Sequence, residues 1–204
     1  MYPKEHGKFK AGRWAIALSV AWLLGASARP AHATNVTVQP YDPAGTSGEA
    51  ATIEYAVRGL GVKDVIVCGH TRCGAMRAVL EPDQLNDMPR VRRWLANADT
   101  SREIALTQYA HLTEDARWQV MAQENVLVQL ENLRTHPAVL VGLANGQLRL
   151  HAWVYELEAG RVFTYDPETG QYVPLIRADG TGVITPINRN GFAPRALSPT
   201  ADAS

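Results

Sequence analysis

Apolar and polar residues recur along this chain with two periods, and the places where one gives way to the other mark its elements. Val65-Ile66-Val67-Cys68 is a continuous, largely β-branched apolar run, the pattern of a strand buried on both faces. Gly69 follows, then His70-Thr71-Arg72-Cys73, and the stretch from Gly74 to Leu80 reads as the helix leaving a turn. Gly69 and Gly74 are expected to let the backbone bend tightly there. Upstream, Ala50, Ile53, Ala56 or Val57, and Leu60 fall at helical spacing, with Thr46 and Glu49 as a capping box and Gly61 as the C′ residue. Downstream, Thr113 caps a long helix predicted to run to about Arg134, with Val120, Met121, Val126, Leu127, Leu130 and Leu133 on one broad face. Pro137 opens a short helix that ends near Asn145-Gly146. The period then drops to two: Leu148, Leu150, Ala152 and Val154 alternate with Arg149, His151, Trp153 and Tyr155, so His151 falls on the polar face. Turns at 158–160 and 166–170 separate two further strands, 161–165 and 171–175, in a meander whose last strand tolerates Pro174 because it lies at an edge.

With 204 residues, 46% hydrophobic and 20% charged, the chain has ample material for a single core. Twenty basic and twenty acidic residues cancel, which argues against nucleic acid or a charged membrane surface as partner. Residues 81–118 are the most solvent-facing region: Arg90, Arg92, Arg93 and Arg102 mix with Asp83, Asp87, Asp99 and Glu103 on solvated helix faces. Trp94-Leu95 and Ile104-Ala105-Leu106 are expected to turn inward. His111, His136 and His151 read as surface or structural histidines. From residue 177 to 204 little apolar pattern remains, and a loose tail is expected.

At the other end, Lys4, Lys8, Lys10 and Arg13 precede an apolar stretch over 14–26, and Ala31-His32-Ala33 follows. Residues 1–33 thus read as a secretory signal peptide. The apolar stretch is short for a membrane span, which takes about 20 residues. Export would place the mature chain in the periplasm or outside the cell, where Cys68 and Cys73 could form a disulfide. A strand-end and a helix-start cysteine are poorly placed to bring their Cβ atoms within the required ~4 Å. Two other readings of 1–33 stand beside this one: a helix at the domain's edge, or a non-homologous segment from a shifted reading frame, with a cytoplasmic chain.

Residues 47–57, the strand 65–68, the run Gly69-His70-Thr71-Arg72-Cys73-Gly74-Ala75-Met76 and Leu150-His151-Ala152-Trp153-Val154-Tyr155 closely resemble the β-class carbonic anhydrases. The likeness runs from about Asn35 to about Ile176. It implies an α/β fold, a mostly parallel sheet flanked by helices, over residues 34–176. It also implies zinc, held by one cysteine of an upstream Cys-x-Asp-x-Arg motif and by the His and Cys of an HxxC turn. By that resemblance His70 and Cys73 are zinc ligands, while Cys68 matches a position that is not. The family's ion lowers the pKa of a water to roughly 7, so that hydroxide attacks carbon dioxide and bicarbonate forms.

This chain departs from the pattern upstream. No cysteine precedes Cys68 and no Cys-x-Asp-x-Arg motif exists, so the first thiolate and the Asp-Arg pair are absent. No catalytic acid or base can be named. The two strands expected there are missing too, so part of the N-terminal sheet should be lost. A third donor could be Cys68 after rotation, a carboxylate, or a second chain. Two readings follow: a zinc lyase acting on carbon dioxide or a similar small linear molecule, or a non-catalytic remnant or partner-binding protein. The resemblance also implies a homodimer or higher homo-oligomer.

Overall fold

The computed structural model describes residues 16–17, 37–45, 47–176 and 182. A five-stranded mixed sheet has the spatial order β1-β2-β3-β4-β5. Its strands are β1 Ile16–Ala17, β2 Asp64–His70, β3 Arg149–Glu156, β4 Arg161–Asp166 and β5 Gln171–Pro174. The first three are mutually parallel, and β3 to β5 form the expected antiparallel meander with Pro174 on the edge strand. β2 and β3 pair over seven residues, from Asp64 opposite Arg149 to His70 opposite Tyr155. On the other flank of β2 the described residues supply only Ile16 and Ala17, opposite Val65 and Ile66. The rest of the stretch read as an export signal lies outside the described residues, as does the tail after 176 apart from Gly182.

Around the sheet stand α1 Gly48–Glu54, continued by a π-helical turn Tyr55–Gly59, then α2 Gly74–Leu80, α3 Pro89–Leu95, α4 Asp99–Gln108, α5 Glu114–Arg134 and α6 Pro137–Ala144. Thr113 caps α5 as expected, its Oγ1 accepting from the Ala116 amide at 3.3 Å. The cap of α1 is Ser47, whose Oγ accepts from the Ala50 amide at 3.3 Å; Thr46 lies outside the described residues. The expected capping box therefore lies partly outside them, and Glu49 accepts from the Gln39 amide at 3.5 Å.

One core fills the space between the sheet and α5 and α6. Val65, Val67, Leu150, Ala152 and Val154 meet Val126, Leu130, Leu133 and Val139 there, each burial contributing about 1.5–3 kcal/mol for a full-sized side chain. α5 also buries Glu124, Asn125 and Gln129, which its apolar period does not foretell. Gln129 accepts from the Val38 amide at 2.7 Å and donates to the Asn97 carbonyl and to Asn125 Oδ1. Asn132 donates to the Val38 carbonyl at 2.8 Å. Buried polar groups are tolerated when paired, and here the pairing staples the segment before α1 onto α5. Glu124 accepts from the Tyr109 hydroxyl at 2.8 Å; burial pushes its carboxyl pKa up and that bond opposes the shift.

Within residues 81–118, Leu95 and Ala105 turn inward as expected, and with Leu85, Ala98, Met76 and Met121 they close a second core. One expectation needs correction: His151 is not on a polar face, being 4% exposed. Its Nε2 donates to Asp64 Oδ1 at 2.9 Å, while Arg149 grips both oxygens of the same carboxylate at 2.7 and 2.8 Å.

Arg149 foremost, and His151 after it, hold the Asp64 carboxyl at about 2, below its ordinary 3.8. A carboxyl pKa depressed by folding stabilises the native state above the ordinary value, and that contribution is lost as pH falls through about 2. Asp64→Asn is therefore expected to lower the urea midpoint at about pH 5 and to flatten its fall towards about pH 2. The difference is about 1 kcal/mol once solvent screening is allowed for. A Cβ on Gly142 would stand 2.9 Å from Leu148 Cβ, whereas one on Gly48 meets nothing within 4 Å. Gly142→Ala should cost about 1–3 kcal/mol in urea unfolding, and Gly48→Ala at the start of α1 should be neutral or slightly stabilising.

Candidate metal centre

His70 ends β2 and Cys73 immediately precedes α2, so both stand at the carboxyl end of a parallel strand, where open α/β sheets gather their chemistry. Both are buried, at 7% and 0% exposure. The His70 Nδ1 lies 2.8 Å from the Thr71 carbonyl. A carbonyl can only accept, so Nδ1 bears the proton, and in the neutral ring Nε2 bears the lone pair that a metal uses.

The bend between the two ligands is not made by glycine. Arg72 has φ 53°, and no other non-glycine residue among those described has a positive φ. Gly74, expected to relieve crowding, has open space where its Cβ would be. A left-handed arginine costs about 1–2 kcal/mol, so contacts from outside must hold the turn. Trp118 Nε1 donates to the Cys73 carbonyl at 2.8 Å, and Arg77 stacks over the same indole, tying α2 to α5. From the sheet side, Thr71 and Arg72 both bond to Glu158, at the end of the β3–β4 hairpin. Glu158 was visible in the sequence only as a turn residue. No local signal marks a contact across 86 residues.

Cys68 lies on the face of β2 opposite Val65 and Val67 and is exposed. Its thiol contacts the Gly69 carbonyl at 3.4 Å. No disulfide joins Cys68 and Cys73. His111 is exposed as expected. His136 is committed elsewhere, Nε2 donating to the Gln39 carbonyl at 3.0 Å, and His151 to Asp64. His70 and Cys73 suit zinc by donor type and by position. They are nevertheless two donors where a catalytic zinc site takes three, and among the described residues no three His, Cys, Asp or Glu side chains come together to hold a metal. The described residues therefore do not make a complete zinc site.

The carbonic anhydrase family model matches residues 31–162. Carbonic anhydrase 1 of Escherichia coli is 41% identical over 128 residues, covering 63% of this chain and 58% of that protein. A carbonic anhydrase of Pseudomonas aeruginosa is 43% identical over 128 residues, with the same two shares. Among solved structures, the β-carbonic anhydrase CcaA is 38% identical at a TM-score of 0.64, with 69% of this chain and 63% of that one covered. One of two tetrameric β-carbonic anhydrases from Sordaria macrospora is 28% identical at a TM-score of 0.55, with 62% of each chain covered. The chain belongs to the carbonic anhydrase family, and these structures put it in the β class. It spans 58% of the length of the two curated relatives. Among the described residues no helix is long and apolar enough to cross a membrane.

The exposure difference between the two thiols gives a direct check. Burial pushes the Cys68 thiol pKa up, which slows its reaction, but in the native protein a charged alkylating reagent should still modify Cys68 faster than Cys73 and reach Cys73 readily only once denaturant is added. Cys68→Ser should abolish the fast reaction.

Proposed function

We propose that this protein catalyses the reversible hydration of carbon dioxide to bicarbonate, with His70 and Cys73 as two protein ligands of a zinc ion. The observation that carries this reading is the placement of the two donors. They stand at the carboxyl end of the strand that pairs with β3, in a β-class chain, and the His70 ring is already oriented by the Thr71 carbonyl. Zinc held there would supply Lewis-acid activation of water for attack on a carbonyl carbon. The chain's own part is to hold His70 in one tautomer, bury Cys73 among Met76 and Met121, and fix the turn between them. The third donor comes from outside the described residues or from a second copy of the chain, in keeping with a homo-oligomer. If residues 1–33 are an export signal, the enzyme works in the periplasm or outside the cell.

A second reading is favoured by a specific observation. The whole chain has two cysteines and lacks the Cys-x-Asp-x-Arg motif. On that reading the protein is a carbonic-anhydrase-like remnant or a partner-binding subunit without activity.

Zinc per chain in the purified protein, measured by elemental analysis beside His70→Ala, separates the two. About one zinc per chain, lost in the variant together with carbon dioxide hydration in a stopped-flow assay, is the expected result. A zinc-free, inactive, well-folded protein would establish the second reading instead.

A further inference from the structure

We propose that α3 and the chain segment beside it form a docking surface for an acidic peptide segment of a partner protein, with Arg90 and Arg93 binding its carboxylates and Trp94 seating its apolar side chains. Nothing in this surface depends on how His70 and Cys73 are read.

α3 carries three arginines and no acidic residue. In the sequence these arginines alternate with Asp83, Asp87, Asp99 and Glu103, but in the folded chain none of the four pairs with them. Arg92 donates to Asn86 Oδ1 at 3.3 Å, whereas among the described residues Arg90 and Arg93 have neither a hydrogen bond nor an ion pair. Residues three apart on a helix are neighbours on its surface, so two unpaired guanidinium groups stand side by side. A carboxylate relieves their repulsion, and the planar guanidinium fork matches it with paired, charge-assisted bonds.

Both arginines open onto a groove between α3 and the segment before α1. It measures about 680 Å³ and is lined by Gln39, Pro89, Arg90, Arg93 and Trp94. Its two walls are held in place from behind. Trp94 packs against the second core, and its carbonyl accepts from Thr37 Oγ1 at 3.5 Å; Gln129 and Asn132 hold Val38. A partner therefore meets a surface already in shape, which lowers the cost of ordering it. Gln39 uses its backbone on Glu49 and His136, and its side-chain amide has no partner among the described residues. Met88 and Val91, at the start of α3, are 45% and 41% exposed. Arginine, tryptophan and methionine are the residue types that interfaces concentrate, and the first two are the commonest anchors. Unpaired positive charge beside exposed apolar side chains calls for a partner that brings carboxylates and apolar groups together. A nucleic acid brings only the charge, and two free guanidinium groups make no track for its backbone.

The test uses the full-length protein and a short dye-labelled peptide in which aspartates and glutamates surround one leucine and one phenylalanine. Fluorescence anisotropy should show saturable binding at about 0.05 M salt that weakens about tenfold at about 0.3 M. Arg90→Gln with Arg93→Gln should weaken it about tenfold at low salt with an unchanged melting temperature, because neither side chain has a partner to lose. Arg58→Gln with Arg161→Gln removes the same charge from arginines that pair with Glu54 and Glu156, and should change the affinity by less than about twofold. Met88→Ala with Val91→Ala should weaken binding about threefold and leave its salt dependence as it was. Failure of the acidic peptide to bind at low salt would overturn the proposal. So would an equal loss in the two arginine pairs, which would mean that net charge alone attracts the peptide, or tighter binding of a single-stranded oligonucleotide at the same arginines. A change in the protein's own mass by light scattering in the Arg90→Gln, Arg93→Gln variant would assign the face to a second copy of the chain and overturn it too.

Discussion

The parallel pairing of β2 with β3 is the constraint on which the rest depends. Its seven residue pairs do three jobs at once. At one end Asp64 is set opposite Arg149, within reach of His151, so that a single carboxylate binds two residues of the neighbouring strand. In the middle Val65 and Val67 face the same side as Leu150 and Ala152, and α5 closes over all four. At the other end His70 lies opposite Tyr155, which brings the hairpin beside the turn that bears the candidate ligands. A slip of one residue would turn the valines away from α5 and part the Thr71 amide from the Tyr155 carbonyl.

Much of this was legible along the chain, because much of it is local. The β-branched run at 65–68, the alternation at 148–155, Thr113 as a cap and the two prolines of α6 and β5 each declare their element through chemistry within a few residues. Gly146, Gly160 and Gly170 all adopt the positive φ that the expected turns require. What stayed hidden is what distance creates. His151 alternates as a polar residue should, yet it is buried because Asp64 lies one strand away to pair with it. Glu124, Asn125 and Gln129 interrupt the apolar face of α5, and their partners are a tyrosine at 109 and the backbone of residues 38 and 97.

The candidate site divides the same way. His70 and Cys73 stand out through ligand chemistry at short spacing, whereas the left-handed arginine between them and the carboxylate that restrains it do not. Glycines flank the turn and draw attention, but Gly74 borders open space and the bend is made at Arg72. The departures from family pattern concern the third donor and the flank of β2. Among the described residues β2 is paired along all seven residues on one side and along two on the other.

The distance between the turn and its restraint also has a consequence in time. Glu158 lies 86 residues after Arg72, and at about 5–20 residues per second a ribosome takes about 4–17 s to add that length. For that interval the nascent turn has neither β3 beside it nor Glu158 to hold Arg72 left-handed. The two candidate ligands are thus synthesised well before the contacts that shape the turn between them, and that turn is completed only in chains translated past the hairpin.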